Sequence, residues 1–168
     1  TSCRTTCEEN IAAMMSSRDL AGIQTGDLTV FFHRADGGMP SRVELREYDN
    51  TPVPIITRPE RLELELKDGR VLHPVIPEDT PPELYEEDDT RILEFSRLEW
   101  ADDQGRIEPD FLLSLRHEFM SDGTAFTTAF FTVERNLSPV ITRFELSRSL
   151  DLSDYDNVRW SLTMRPTA

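Results

Sequence analysis

FLLSLRHEFM, then SDG, then TAFTTAFFTVER, residues 111–135, is the stretch whose reading decides the fold. Successive side chains of a strand point to opposite faces, so Phe111, Leu113, Leu115, His117 and Phe119 share one face. Leu112, Ser114, Arg116, Glu118 and Met120 take the other. The first set is a core face. Ser121-Asp122-Gly123 reads as a turn whose glycine accepts positive φ. On the returning strand Phe126 and Phe130 lie with Thr128 and Thr132, while Phe131 and Val133 lie opposite with Ala125, Thr127 and Ala129. A strand apolar on both sides is expected in the middle of a layered structure.

The same two-residue period runs outward from this hairpin. Regular strands are predicted over 92–100, 140–149 and 158–165, the last with Val158, Trp160, Leu162 and Met164 on one core-facing side. Toward the N-terminus, Leu28, Val30 and Phe32 alternate with Thr29, Phe31 and His33, and Val43 and Leu45 with Arg42, Glu44 and Arg46. Leu62, Leu64 and Leu66 lead through a two-residue Asp68-Gly69 loop to an answering strand over 71–76. Pro52 and Pro54 lack the amide donor of a central strand, which makes 51–57 an edge strand or a connector. Residues 77–89, with three prolines and seven carboxylates, read as a long surface loop with one helical turn at 82–86. Only 8–20, with Ile11, Met14, Met15 and Leu20 at helical spacing, reads as helix, ending at Gly22 and Gly26. The expected architecture is all-β, an antiparallel β-sandwich over 27–168 preceded by a short N-terminal helix within 1–26.

Composition limits the function classes. A chain of 168 residues is one ordinary domain. It carries 32 acidic and 18 basic residues, a net charge of −14, and such a field repels phosphates and anionic headgroups. Nucleic acid and membrane surfaces are therefore not expected partners. No run approaches the roughly 18 apolar residues of a membrane span, so a soluble protein is expected, and no signal peptide is recognised in the sequence, which opens on Thr1. Cys3 and Cys7 are too few for a disulfide framework and read as ordinary thiols.

Candidate chemistry is sparse. His33, His73 and His117 lie on different strands, and His117, between Leu115 and Phe119, reads as a neutral core imidazole. No G-x-S-x-G elbow or G-x-x-x-x-G-K loop is present. Glu94, Glu99 and Glu118 are the strand-borne carboxylates from which a hydrolytic pair would be drawn. Asp151, Asp154 and Asp156, with the Asn157 carbonyl, offer oxygens to a structural calcium ion, although the spacing equally describes an Asx-rich turn. No other cofactor is expected. The run Glu86-Glu87-Asp88-Asp89 reads as solvated charge, and Asn136-Leu137-Ser138, followed by Pro139, as a turn. Trp100, Tyr85 and Tyr155 are placed at strand ends or in loops, where exposed rings would stack on a sugar.

Leu93-Glu94-Phe95 with Leu98-Glu99-Trp100, the run from Leu113 to Phe119 into Ser121-Asp122-Gly123, 126–134, and Val158-Arg159-Trp160-Ser161-Leu162 carry a resemblance. Residues 92–165 resemble the galactose-mutarotase-like, or supersandwich, β-sandwich domains of bacterial glycoside hydrolases and related carbohydrate-active enzymes. The resemblance implies a secreted, extracellular or periplasmic, non-catalytic domain that touches polysaccharide or packs against a catalytic domain of the same protein. It brings no catalytic residue to this chain. Two other readings stand beside it: an acidic module that meets another protein through sheet edges, and an autonomous glycoside hydrolase using two carboxylates.

Overall fold

The alternation of residues 111–119 builds one long strand, and the other strands assemble on both sides of it. The computed structural model describes residues 21–46, 49, 51–133 and 141–150. Within them the strands are β1 (Ala21–Thr25), β2 (Leu28–Phe32), β3 (Pro40–Arg46), β4 (Pro52–Ile56), β5 (Arg61–Leu66), β6 (Val71–Val75), β7 (Glu83–Glu87), β8 (Thr90–Ala101), β9 (Ile107–Phe119), β10 (Ala125–Val133) and β11 (Ile141–Ser147). A single 3₁₀ turn covers Arg34–Asp36. All pairings among the described residues are antiparallel, in a four-stranded sheet ordered β1-β2-β3-β4 and a larger one ordered β10-β9-β8-β6-β5-β11, with β7 also on β8. The fold is an all-β antiparallel sandwich. The expected helix over 8–20, the strand over 158–165 and Trp160 lie outside the described residues.

The core is the set that periodicity selects. Phe111, Leu113, Leu115, His117 and Phe119 are all buried, as are Leu62, Leu64 and Leu66 of β5 and Val30 and Phe32 of β2. Two aromatic groups organise it. Phe32, Phe95, Phe119 and the His117 ring meet where the sheets face each other. Trp100, Phe111, Phe131 and Phe144, all on strands of the larger sheet, form the second, with Phe131 of β10 lying 6.2 Å from Phe144 of β11. The two end strands of the larger sheet thus approach each other, and the sheet is strongly curled. Register shifts in β8, between Phe95 and Leu98 and between Glu99 and Trp100, mark bulges that bend the long β8–β9 ribbon. The Ser114 hydroxyl donates to the Ser96 carbonyl at the first of them.

Four local expectations are corrected. Residues 77–89 do not remain a loop. Asp88 and Asp89 adopt left-handed backbone, φ 48° and 61°, and close a two-residue hairpin of the type that matches strand twist, so β7 pairs with the start of β8. The Asp68-Gly69 turn has three loop residues rather than two, because Leu66 N–H bonds the Arg70 carbonyl and Gly69 N–H the Leu66 carbonyl. The same hydrogen bonds recur at 102–106 and 120–124, each with glycine at the last loop position. Gly22 does not end a helix but sits inside β1, which pairs with β2 across Gly26-Asp27, so the sandwich begins before residue 27. β10 does not lie in the middle of the layers but at the end of its sheet's strand order among the described residues, largely exposed. Burial explains its two-sided apolar pattern only in part, since Phe126 and Phe130 are more than half exposed.

Between β2 and β3 the chain turns through Gly37 and Gly38 at φ 64° and 84°, tucked against the larger sheet. A Cβ on Gly37 would stand 2.2 Å from the Pro74 carbonyl oxygen, whereas one on Gly69 would meet nothing within 4 Å. Both glycines use left-handed backbone, so an alanine at either pays about 1–2 kcal/mol of backbone strain, but only Gly37→Ala must also push strands apart. In urea unfolding, Gly37→Ala is expected to destabilise by at least about twice as much as Gly69→Ala; equal losses would contradict this packing.

Candidate functional site

The inward face of β10 determines where space is left in the sandwich. Ala125, Thr127 and Ala129 pair with Phe119, His117 and Leu115 and so share the side of β10 that faces the core, although each stays exposed, while Phe130 turns outward and Phe126 stands at the cleft's rim. Small residues on one wall leave a gap against the four-stranded sheet. The gap is a cleft of about 400 Å³. Val30, Phe32, Met39, Val43 and Ile56 wall it from the smaller sheet, and Leu62, Leu115, Phe119 and Leu146 from the larger. Its lining is mainly apolar. The polar exceptions are His117, Thr127, Glu60 and Arg148.

His117 is 1% exposed and has both ring nitrogens engaged. Nε2 lies 2.7 Å from the Gly38 carbonyl and Nδ1 lies 2.8 Å from the Thr127 hydroxyl. A carbonyl only accepts, so Nε2 carries the proton and donates, and Nδ1 accepts from Thr127. This is a neutral imidazole. Burial disfavours its cation and lowers its pKa to about 4, against a smaller opposing effect of the Gly38 hydrogen bond. The ring joins β9 of one sheet to the β2–β3 turn of the other, and it forms part of the cleft wall.

Glu60 sits where the chain crosses from β4 to β5. Its N–H donates to the Pro40 carbonyl at 2.9 Å, which holds the crossover against β3. The residue is only 3% exposed, and Arg148 Nε lies 2.7 Å from its Oε1. Its other oxygen, Oε2, is buried without a hydrogen-bond partner. Desolvation raises the Glu60 pKa above the ordinary carboxylate value, with the Arg148 charge and hydrogen bond opposing it. The folded state therefore holds this proton to a higher pH than the unfolded chain does, and the group's contribution to stability falls as pH rises from 4.5 through the raised value. Glu60 also borders a second, polar cleft with Asp36, Arg61, His73 and Asp103, where His73 lies 3.9 Å from both Glu63 and Asp103.

The residues singled out in the sequence are scattered. Trp100 is fully buried against Phe131, so its ring cannot serve as a stacking platform for sugar. The bulge before it turns the side chain into the core although it stands near a strand end. Tyr85 is on β7, its hydroxyl donating to Glu94 at 2.8 Å; this bond raises the Tyr85 pKa. Tyr155 and the calcium candidates Asp151, Asp154 and Asp156 lie outside the described residues. Among the described residues no group of three or more His, Cys, Asp and Glu gathers to hold a metal ion, and no helix is long and apolar enough to cross a membrane. Glu94 pairs across the strands with Arg116, and Glu118 lies 3.5 Å from the Arg116 guanidinium, so both read as charges on the outer face. Glu60 and Arg148 were missed. Their one sequence signal is a carboxylate between Pro59 and the first residues of an alternating strand. Comparisons with family models, curated proteins and solved structures returned no match.

The pKa of His117 is lowered in the folded state, so the unfolded chain binds the extra proton first as pH falls. The stability it contributes is complete above pH 6.5 and is lost on the way down to about 4. A shift of that size corresponds to about 3 kcal/mol. The unfolding free energies of wild type and His117→Gln are therefore expected to converge, or cross, by about that amount between pH 6.5 and 4. Parallel stability curves would show that His117 does not titrate in this way.

Proposed function

We propose that this chain is a β-sandwich binding domain which takes an apolar small molecule into the cleft between its sheets, and that it acts by holding rather than by converting its ligand. One observation carries the reading: the core-facing side of β10 offers only Ala125, Thr127 and Ala129, which leaves an open cleft of about 400 Å³ lined mainly by aliphatic and aromatic side chains, with Val30, Phe32 and Leu115 buried at its floor. Ligand sites in proteins are typically concave, largely apolar and of about this size or larger, with few polar groups to set orientation. His117 has both nitrogens occupied, which argues against a free general base at this wall. The glycan-contact reading drawn from the resemblance to carbohydrate-active enzymes keeps only Tyr85 among the described candidates, since Trp100 is buried.

A second reading, a protein-interaction module, is favoured by the outer face of β10. There Phe126 and Phe130 are 51% and 58% exposed at a sheet edge among the described residues. Large exposed apolar side chains clustered in this way commonly mark contact surfaces.

Titration with Nile red, a neutral apolar dye, separates the two. The cleft reading expects saturable one-to-one binding with a blue-shifted emission, and Ala129→Trp, which fills the gap, is expected to weaken it about tenfold or more while circular dichroism stays unchanged. Dye binding retained by Ala129→Trp but lost in Phe130→Ser would place the apolar site on the outer face and overturn the cleft reading.

A further inference from the structure

We infer that the ligand of this cleft is a neutral, largely apolar molecule carrying one N–H or O–H donor, and that Glu60 is the residue that receives it. The inference rests on the binding reading above and deepens it by naming the ligand's chemistry. Glu60 is 3% exposed and lines the cleft, with Oε1 held by Arg148 and Oε2 without any partner. A buried acceptor left unmade is costly, and native proteins keep few of them. The terminal torsion of a glutamate is broad, so the carboxylate can adjust toward a donor in the cleft at little cost, and Arg148, which lines the same cleft, stays beside it. A donor on the ligand then completes the carboxylate's hydrogen bonding.

Charge narrows the class further. An anionic head group would meet both the Glu60 carboxylate and a net charge of −14. An ammonium would turn the balanced Glu60–Arg148 pair into a net positive cluster against an apolar wall, with its own desolvation to overcome. A neutral donor meets neither cost. His117 does not compete for it, since its ring nitrogens are already used by Gly38 and Thr127. The polar end of the ligand is therefore fixed at the Glu60–Arg148 end of the cleft, and its apolar body lies along Val30, Phe32, Leu115 and Ala129.

Carbazole and fluorene give a direct test, being tricyclic molecules of one shape in which an N–H replaces a CH₂. Fluorescence titration of the whole chain at pH 8 is expected to show carbazole binding about tenfold or more tightly than fluorene, the scale of a hydrogen bond to a charged acceptor. Glu60→Gln, which puts an amide in place of the free oxygen, is expected to reduce that ratio to near one. If Glu60→Gln does not fold, Glu60→Asp, whose shorter side chain withdraws the acceptor, is expected to lower the ratio in the same way. Equal affinities in the wild type would overturn the assignment to Glu60 and leave the apolar cleft standing. A preference that survives Glu60→Gln would move the acceptor elsewhere and overturn it too. Binding of neither molecule would remove the cleft reading itself, and this inference with it.

Discussion

A neutral histidine buried between two β-sheets is the interaction on which the rest of this structure depends. His117 stands in the middle of the apolar face of β9, where a leucine would satisfy the hydrophobic pattern. An imidazole there has two polar atoms that must both be served, and they are served from opposite directions: Thr127 on the neighbouring strand and the Gly38 carbonyl on the other sheet. That second bond fixes where the β2–β3 turn sits. The turn in turn favours glycine at 37 and 38: both have positive φ, a Cβ on Gly37 would collide with the Pro74 carbonyl, and one on Gly38 would crowd the Phe95 ring. One hydrogen bond thus links the packing of the two sheets to backbone conformation in a connecting loop. The low dielectric that makes it strong also makes protonation expensive.

The cleft follows from the same arrangement. His117 and Phe32 hold the sheets together along one line, while the small inward residues of β10 prevent closure beside it. At the far end the crossover from β4 to β5 brings Glu60 under Pro40, into a place where no water-exposed carboxylate would be. Further hydrogen bonds join the layers: the Thr25 hydroxyl donates to the Met120 carbonyl, and Arg91 donates to the Gln24 carbonyl. Surface ion pairs such as Arg143 with Glu65 and Glu145 lie outside this frame and contribute little each.

Most of the architecture was legible in the sequence because burial in a sheet imposes a period of two. The faces of 111–119, of 62–66 and of 28–32 were assigned correctly from alternation alone, as was the neutral character of His117. Failures occurred where pattern gives way to context. β7 was hidden because its carboxylates need no core and its pairing is set by two left-handed aspartates. Trp100 was misplaced because a bulge shifts the register beside it, an effect no local composition reveals. The exposure of Phe126 and Phe130 depends on which side of β10 faces the second sheet, and both sides are apolar in sequence. Glu60 owes its burial to a contact with Pro40, twenty residues earlier, and Arg148 joins it from beyond β11. Sites assembled by crossovers leave almost no trace in a linear pattern.

The tautomer and charge of His117 can be observed directly from the ¹⁵N resonances of its imidazole ring across a pH titration. The account predicts a protonated Nε2 and an unprotonated Nδ1 whose shifts hold steady from about pH 8 down to about 5, consistent with a pKa of about 4. Shifts that average between the two nitrogens, or that move with a midpoint near the ordinary value of 6.5, would mean that the ring is not clamped between the sheets.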